Sequence, residues 1–291
     1  ILGIVFDQTI GPAKAKQTDP ILPSIQSPLG ALPARFRRER LLIVGCGDVG
    51  QRILRDLQSG PGAARMRVMA LTSSPSRVAG LRALGARPIV GNLDDAPSLR
   101  RLAGLATRVL HLAPPPGEGA GGNAWWLDPR IVALARALRL RSLPVSLVYA
   151  STSGVYGDCQ GALVPETRAV APGTPRAQRR VNAETAVRHL GRAGVRASVL
   201  RIPGIYAPDR EGGTPEARLR RGTPVLVAED DVFTNHIHAD DLARACVAAV
   251  WKGRPQRTYN VSDATHLKMG DYFDLAASLY GLPKPPRISR H

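Results

Sequence analysis

Acidic residues, aromatics and cysteine are all scarce in this 291-residue chain. Against 40 Lys and Arg stand 23 Asp and Glu, a formal net charge of +17, which favours anionic ligands over cationic ones. The basic excess is almost all Arg and is spread across many expected helices; without a compact basic and aromatic patch, it argues against a nucleic-acid surface. Aromatics make up 4%, so the core must be built from Leu, Val, Ile and Ala. The three cysteines, Cys46, Cys159 and Cys246, lie far apart with no CxxC or Cys/His spacing, which argues against a disulfide framework and a zinc site and fits a reducing cytoplasm. No apolar run approaches a membrane span, the first residues lack the pattern of a signal peptide, and there is no internal repeat. The chain does not begin with Met, a hint that residue 1 is not its natural start.

Glycine, by contrast, is placed tellingly. Leu41-Leu42-Ile43-Val44 reads as a buried parallel strand, runs into Gly45, Gly47 and Gly50, and is followed by a helix expected over 51–58. Strand, turn and helix in that order are the context in which G-x-G-x-x-G binds a dinucleotide. Gly45 permits the tight turn, Gly47 lets the backbone approach a pyrophosphate, and Gly50 lets the helix pack on the strand; Asp48 and Val49 complete the segment at the helix N-terminus.

The next strand, 67–72, closes in Thr72, Ser73 and Ser74, with Arg77 beyond. An acid there would hydrogen-bond the ribose 2′-hydroxyl of NAD, whereas this set suits a 2′-phosphate, so the cofactor is NADP or NAD with NADP favoured. The alternative is that Arg77 merely opens helix 75–84 as a solvated charge. Strand 87–90 leads to Asn92 and Leu93, which either border an adenine or form a plain turn. After helix 96–104, strand 108–113 carries His111, read as a satisfied core histidine, and ends in Leu112 and Ala113 over the expected pyrophosphate and nicotinamide ribose. Pro114-Pro115-Pro116-Gly117 and the glycines after it make a long loop at that edge, either a lid or a simple connection. Helix 129–140 and strand 145–150 follow, and the strand runs into Ser151-Thr152-Ser153, hydroxyls that either meet a substrate or close a turn. Such alternation specifies an α/β fold with a doubly wound parallel sheet. Residues 1–39 read as an irregular extension and 40–291 as the dinucleotide-binding domain, with a small C-terminal substrate lobe drawn mainly from 207–235 and 263–291.

Ser151-Thr152-Ser153-Gly154-Val155-Tyr156-Gly157 resembles the extended short-chain dehydrogenase/reductases, the superfamily of NAD-dependent sugar epimerases and dehydratases, in which a strand ends in a Ser/Thr-rich segment closing with Val-Tyr-Gly. Residues 199–208 are similar to that family's strand and substrate-loop entry, Asn235 to Ala245 to its late His-x-Asp-Asp segment, and Tyr259-Asn260-Val261 to its closing strand. The resemblance, closest to the atypical epimerase/dehydratase-like branch, implies a Rossmann fold, a small-molecule alcohol or sugar-like substrate, and a homodimer through helices 129–140 and 174–193. The family works with a Tyr and a Lys four residues later on a helix. Aligned on Ala183-Glu184, Arg176 takes the Tyr position and Arg180 the Lys position. Arginine stays protonated, so Arg176 cannot act as a general acid/base, while Arg180 still offers positive charge and a ribose contact. Thr152 matches the family's catalytic Ser/Thr, and Tyr156 is either the substitute phenol or, as its position in the family implies, part of the motif's turn and packing. Two functions stay open: an oxidoreductase or epimerase/dehydratase moving hydride between nicotinamide and an alcohol or sugar carbon, and a catalytically weak sensor or scaffold. His236 and His238 have the spacing of a metal pair but no third ligand, so they read as packing before helix 240–251, and no metal is expected. Asp240 and Asp241 read as complements to that helix's dipole. The last helix, Met269 to Tyr280, belongs to the substrate lobe, which the resemblance reads as abbreviated.

Overall fold

The computed structural model describes residues 39–59, 66–117 and 124–290. The expected N-terminal extension lies outside the described residues except for Glu39, and so do residues 118–123 of the loop read as either a lid or a simple connection. In chain order the elements are β1 (Glu39–Val44), α1 (Asp48–Ser59), β2 (Met66–Thr72), α2 (Val78–Ala83), β3 (Arg87–Val90), β4 (Arg108–His111), α3 (Pro129–Arg139), β5 (Ser146–Thr152), α4 (Pro175–Arg192), β6 (Arg196–Ile202), β7 (Gly204–Tyr206), α5 (Glu216–Arg220), β8 (Val225–Leu226), β9 (His236–His238), α6 (Ala239–Lys252), β10 (Arg257–Asn260), α7 (Met269–Tyr280) and β11 (Arg287–Ile288).

Among the described residues, seven strands form one sheet in the order β3-β2-β1-β4-β5-β6-β10, every pairing parallel. Strand order reverses between β1 and β4, and an open α/β sheet binds ligands at such a switch point. The strands read as continuous apolar runs because both faces are covered. Leu42, Val44, Val109, Leu147 and Tyr149 pack towards α3 and α4 in one core, while Leu41, Ile43, Leu110, Val148 and Ala150 join Ile53, Leu242 and Cys246 in the core on the other face. A third, small cluster of Leu219, Val225, Phe273, Ala276 and Ala277 unites α5, β8 and α7. No helix among the described residues is long and apolar enough to cross a membrane.

Helix starts follow local chemistry. Asp128 caps α3 by accepting from the amides of Arg130 and Ile131, and Thr174 caps α4 by accepting from Ala177, each with Pro at the first helical position. Several expected boundaries move. The helix after the glycines begins at Asp48, not 51, because the Gln51 amide already bonds to the Gly47 carbonyl at 3.0 Å. The expected strand 108–113 stops at His111: the amides of Leu112 and Ala113 both turn to the Val44 carbonyl, at 2.8 and 3.1 Å. Helix 75–84 is a 3₁₀ turn over Pro75–Arg77 continued by α2. Helix 96–104 is a 3₁₀ segment, Ala96–Leu102, where Ser98 Oγ donates to the carbonyls of Asp95 and Asn92 and draws the backbone away from α geometry. β5 extends to Thr152 because β6 pairs with it as far as Ile202.

Candidate functional site

The carboxyl ends of β1 and β4 meet closely. Gly45 has φ +83° and a Cβ there would strike the backbone of Ala113, so this turn accepts only glycine. A Cβ on Gly50 would lie 3.0 Å from Cys46 Sγ in the turn and 3.5 Å from Ile43 Cγ2 on β1, so the bare glycine lets α1 pack closely there. On Gly47, by contrast, a Cβ would meet nothing within 4 Å among the described residues: they leave the turn open at the position where a dinucleotide pyrophosphate would approach the α1 N-terminus. Val49 is half-buried, and its neighbour Asp48 accepts from Arg52 and Arg210. Burial raises the Cys46 thiol to about 11, so it stays protonated beside the turn. These residues fit a dinucleotide.

Of the residues expected at the cofactor's adenosine end, Arg77 is exposed and its guanidinium donates to the Cys46 carbonyl at 2.7 Å. It therefore folds back over the glycine turn and is not a freely solvated helix charge. Ser73 is exposed beside it, whereas Thr72 is buried and its hydroxyl closes a local turn with Ser74. Asn92 is exposed and its Oδ1 accepts from the Asp94 amide; Leu93 packs on the α3/α4 core. Arg130 joins this loop to the β4 end, donating twice to Asp94 at 2.7 Å and once to the Pro114 carbonyl at 3.1 Å. That pairing holds the Asp94 carboxyl below its usual range. Leu112 is half-buried against the α1/α6 core and Ala113 is buried.

At the end of β5, Thr152 Oγ1 accepts from the Gly154 amide at 3.2 Å, which leaves its own O–H free to donate, and the side chain is half-buried. Ser151 points the other way, donating to Glu184 at 2.7 Å. Glu184 is buried in a two-point pair with Arg201, at 3.1 and 2.7 Å, and Arg201 lies 4.6 Å from the Tyr156 ring centre. The Tyr156 hydroxyl donates to Asn260 Oδ1 at 2.7 Å. Tyr156, 5% exposed and engaged at ring and hydroxyl, braces the turn, so its geometry does not fit the substitute phenol. On α4, Arg176 is exposed, while Arg180 is buried and one Nη donates to the Ala150 carbonyl and to the Tyr149 hydroxyl. Burial pushes that phenol up to about 12.

His111 is 1% exposed, and neither ring nitrogen has a hydrogen-bond partner among the described residues, so within them it is a core histidine but not a satisfied one. It lies edge-on to Tyr149 at 5.3 Å. His236 and His238 do separate jobs: His236 stacks on Tyr272 at 4.2 Å, and His238 Nδ1 accepts from the Asp240 amide to cap α6. Among the groups the sequence reading missed, Arg130 with Asp94 and Arg52 with Asp209 and Asp240 join residues too distant in sequence to pair by spacing. The Asp48–Arg52 separation of four on one helix was the one readable signal.

Known proteins similar to this chain share its fold and include one family. An uncharacterised protein of Schizosaccharomyces pombe is 30% identical over 166 residues, 56% of this chain and 53% of that protein, so the chain spans about half the length of that relative. A Silicibacter pomeroyi protein of unknown function superposes with TM-score 0.63 at 27% identity, covering 86% of this chain and 82% of the other. The UDP-glucose 4-epimerase of Thermus thermophilus, solved with NAD, superposes with TM-score 0.67 at 22% identity over 86% of this chain and 88% of the other. The profile of the NAD dependent epimerase/dehydratase family matches residues 41–262. With that match running from the first strand to the last of the parallel sheet, the chain belongs to the NAD dependent epimerase/dehydratase family.

Proposed function

We propose that this chain binds a nicotinamide dinucleotide at the switch point, prefers NADP to NAD, and uses it on an alcohol or sugar-like small molecule received by the lobe of α5, β8 and α7. The observation that carries the preference is Arg77, whose guanidinium is held at the glycine turn by the Cys46 carbonyl and has further donors for a 2′-phosphate. When bound, the dinucleotide supplies hydride exchange at its nicotinamide. The chain's own contribution is positional: Thr152 donates its free O–H to a substrate oxygen, and Arg180 keeps positive charge behind the end of β5. Neither Arg176 nor Arg180 can take up a proton, so general base work at the family's usual position is absent.

A specific observation favours a second reading, a catalytically weak sensor or scaffold: Arg180 is turned inward onto Ala150 and Tyr149, and Arg176 is exposed. Calorimetric titration with NADPH and NADH, on the wild type and on Arg77→Ala, tests the cofactor assignment. Tighter binding of NADPH that falls about tenfold in the variant, with NADH unchanged, is expected; no preference for NADPH would overturn it. Tight binding with no oxidation of NADPH by carbonyl compounds or nucleotide sugars selects the second reading over the first.

A further inference from the structure

A charge cluster stands beside the α1 N-terminus that the reading above leaves unused. The Arg52 side chain is buried, 6% exposed, and all three of its guanidinium nitrogens are engaged: Nε with Asp48 at 3.2 Å, one Nη with Asp240 at 2.6 Å, the other with Asp209 at 2.6 Å. The Asp48 oxygen that meets Arg52 also accepts from Arg210 at 2.9 Å. Asp209 and Arg210 belong to one tight loop, closed by the Ala207 amide on the Gly213 carbonyl at 3.2 Å and by the Gly213 amide on the Arg210 carbonyl at 2.9 Å. This loop is therefore fastened to the fingerprint helix twice, by pairs of opposite polarity.

The two guanidinium groups are not equivalent. Arg52 is saturated and buried, a fixed anchor. Arg210 is 29% exposed, and its pair is with an oxygen already shared with Arg52, so leaving it sacrifices one screened contact. Asp48, one residue past the open Gly47, complements the helix dipole by itself, yet a pyrophosphate at the same N-terminus would sit against that carboxylate. Arg210 is thus paired with the residue that follows the open Gly47.

We infer that Arg210 is an exchangeable latch: it holds Asp48 in the ligand-free chain and turns to the dinucleotide pyrophosphate on binding, tying the Ala207–Gly213 loop to cofactor occupancy. Asp48 is then a built-in competitor that lowers cofactor affinity. The inference rests on the dinucleotide reading above. Calorimetric titration of NADPH into the wild type, R210Q, R210K and D48N, with thermal melts confirming that each is folded, separates the possibilities. R210Q is expected to bind about tenfold more weakly and R210K to retain most of the affinity, since one charge-assisted contact is at stake. D48N is expected to bind at least as tightly as the wild type. A purely structural clasp predicts instead that R210Q and D48N weaken binding alike, because each breaks the same pair. That outcome, or R210Q within about twofold of the wild type, overturns the inference. Should R210Q not fold, R210K and D48N decide it: both weakened overturns it, neither weakened supports it. A wild type that binds neither NADPH nor NADH brings down the dinucleotide reading itself, a result that no behaviour of the variants mimics.

Discussion

His111 sits buried at the carboxyl end of β4 with no hydrogen-bond partner for either ring nitrogen among the described residues, and it feels the guanidinium charges of Arg180 and Arg130. Burial first, and those two cations second, push it down from the usual 6.5 to about 3. The folded state therefore holds His111 neutral while the unfolded chain takes up a proton below about pH 6.5, so this residue's full stability exists above that pH and is lost as pH falls towards 3. At pH 5 the loss relative to pH 7 is about 2 kcal/mol. Chemical denaturation of the wild type and His111→Phe at both pH values should show the gap between them shifting by that amount in favour of the variant at pH 5; parallel pH profiles would refute the assignment. The same residue shows where sequence reading stops: a lone His in an apolar strand announces burial, but not whether its nitrogens find partners.

At the scale of elements, the β1–α1 unit was legible almost entire, because four apolar residues, three glycines and an amphipathic stretch each have a local physical reason. The three glycines nevertheless differ, and only the neighbouring strand end says how. Gly45 faces the Ala113 backbone, whereas no described residue lies within 4 Å of a Cβ on Gly47. Gly45→Ala should thus destabilise the fold by several kcal/mol, about 2–4, through strained φ and collision. Gly47→Ala should melt within a few degrees of the wild type yet lose NADPH binding, because its methyl fills the approach to the pyrophosphate. Melting curves and calorimetry on both variants check this, and a Gly47→Ala protein that binds NADPH normally would contradict it. The boundary shifts at 96–102 and at His111 have similar causes: Ser98 Oγ and the Val44 carbonyl compete for backbone geometry, and neither competition shows in an apolar period.

Across the whole molecule, stability is divided unevenly. Two large cores clasp the parallel sheet from either side, while the cluster around Phe273 is small, with Arg218 stacked 4.5 Å from the Phe273 ring centre. Phe273→Ala, which removes about 3–5 kcal/mol of packing, should abolish amide protection in residues 216–226 and 269–288 while β1 and β5 keep theirs. Hydrogen exchange read by mass spectrometry measures this, and protection lost equally across the sheet would show that the cluster is not a separate unit of stability.

The sequence by itself determined the parallel sheet and the Gly45, Gly47 and Gly50 turn between β1 and α1, because apolar period and glycine freedom are properties of short segments. Only the tertiary structure decided that Tyr156 is held by Asn260 and Arg201, that Arg180 turns inward to Ala150, that Arg77 reaches the Cys46 carbonyl, and that Arg52 gathers carboxylates 157 and 188 residues away. The physical reason is range: a hydrogen bond or ion pair acts over about 3 Å of space whatever the separation along the chain, so its partners are fixed only once the sheet order brings distant loops to one edge.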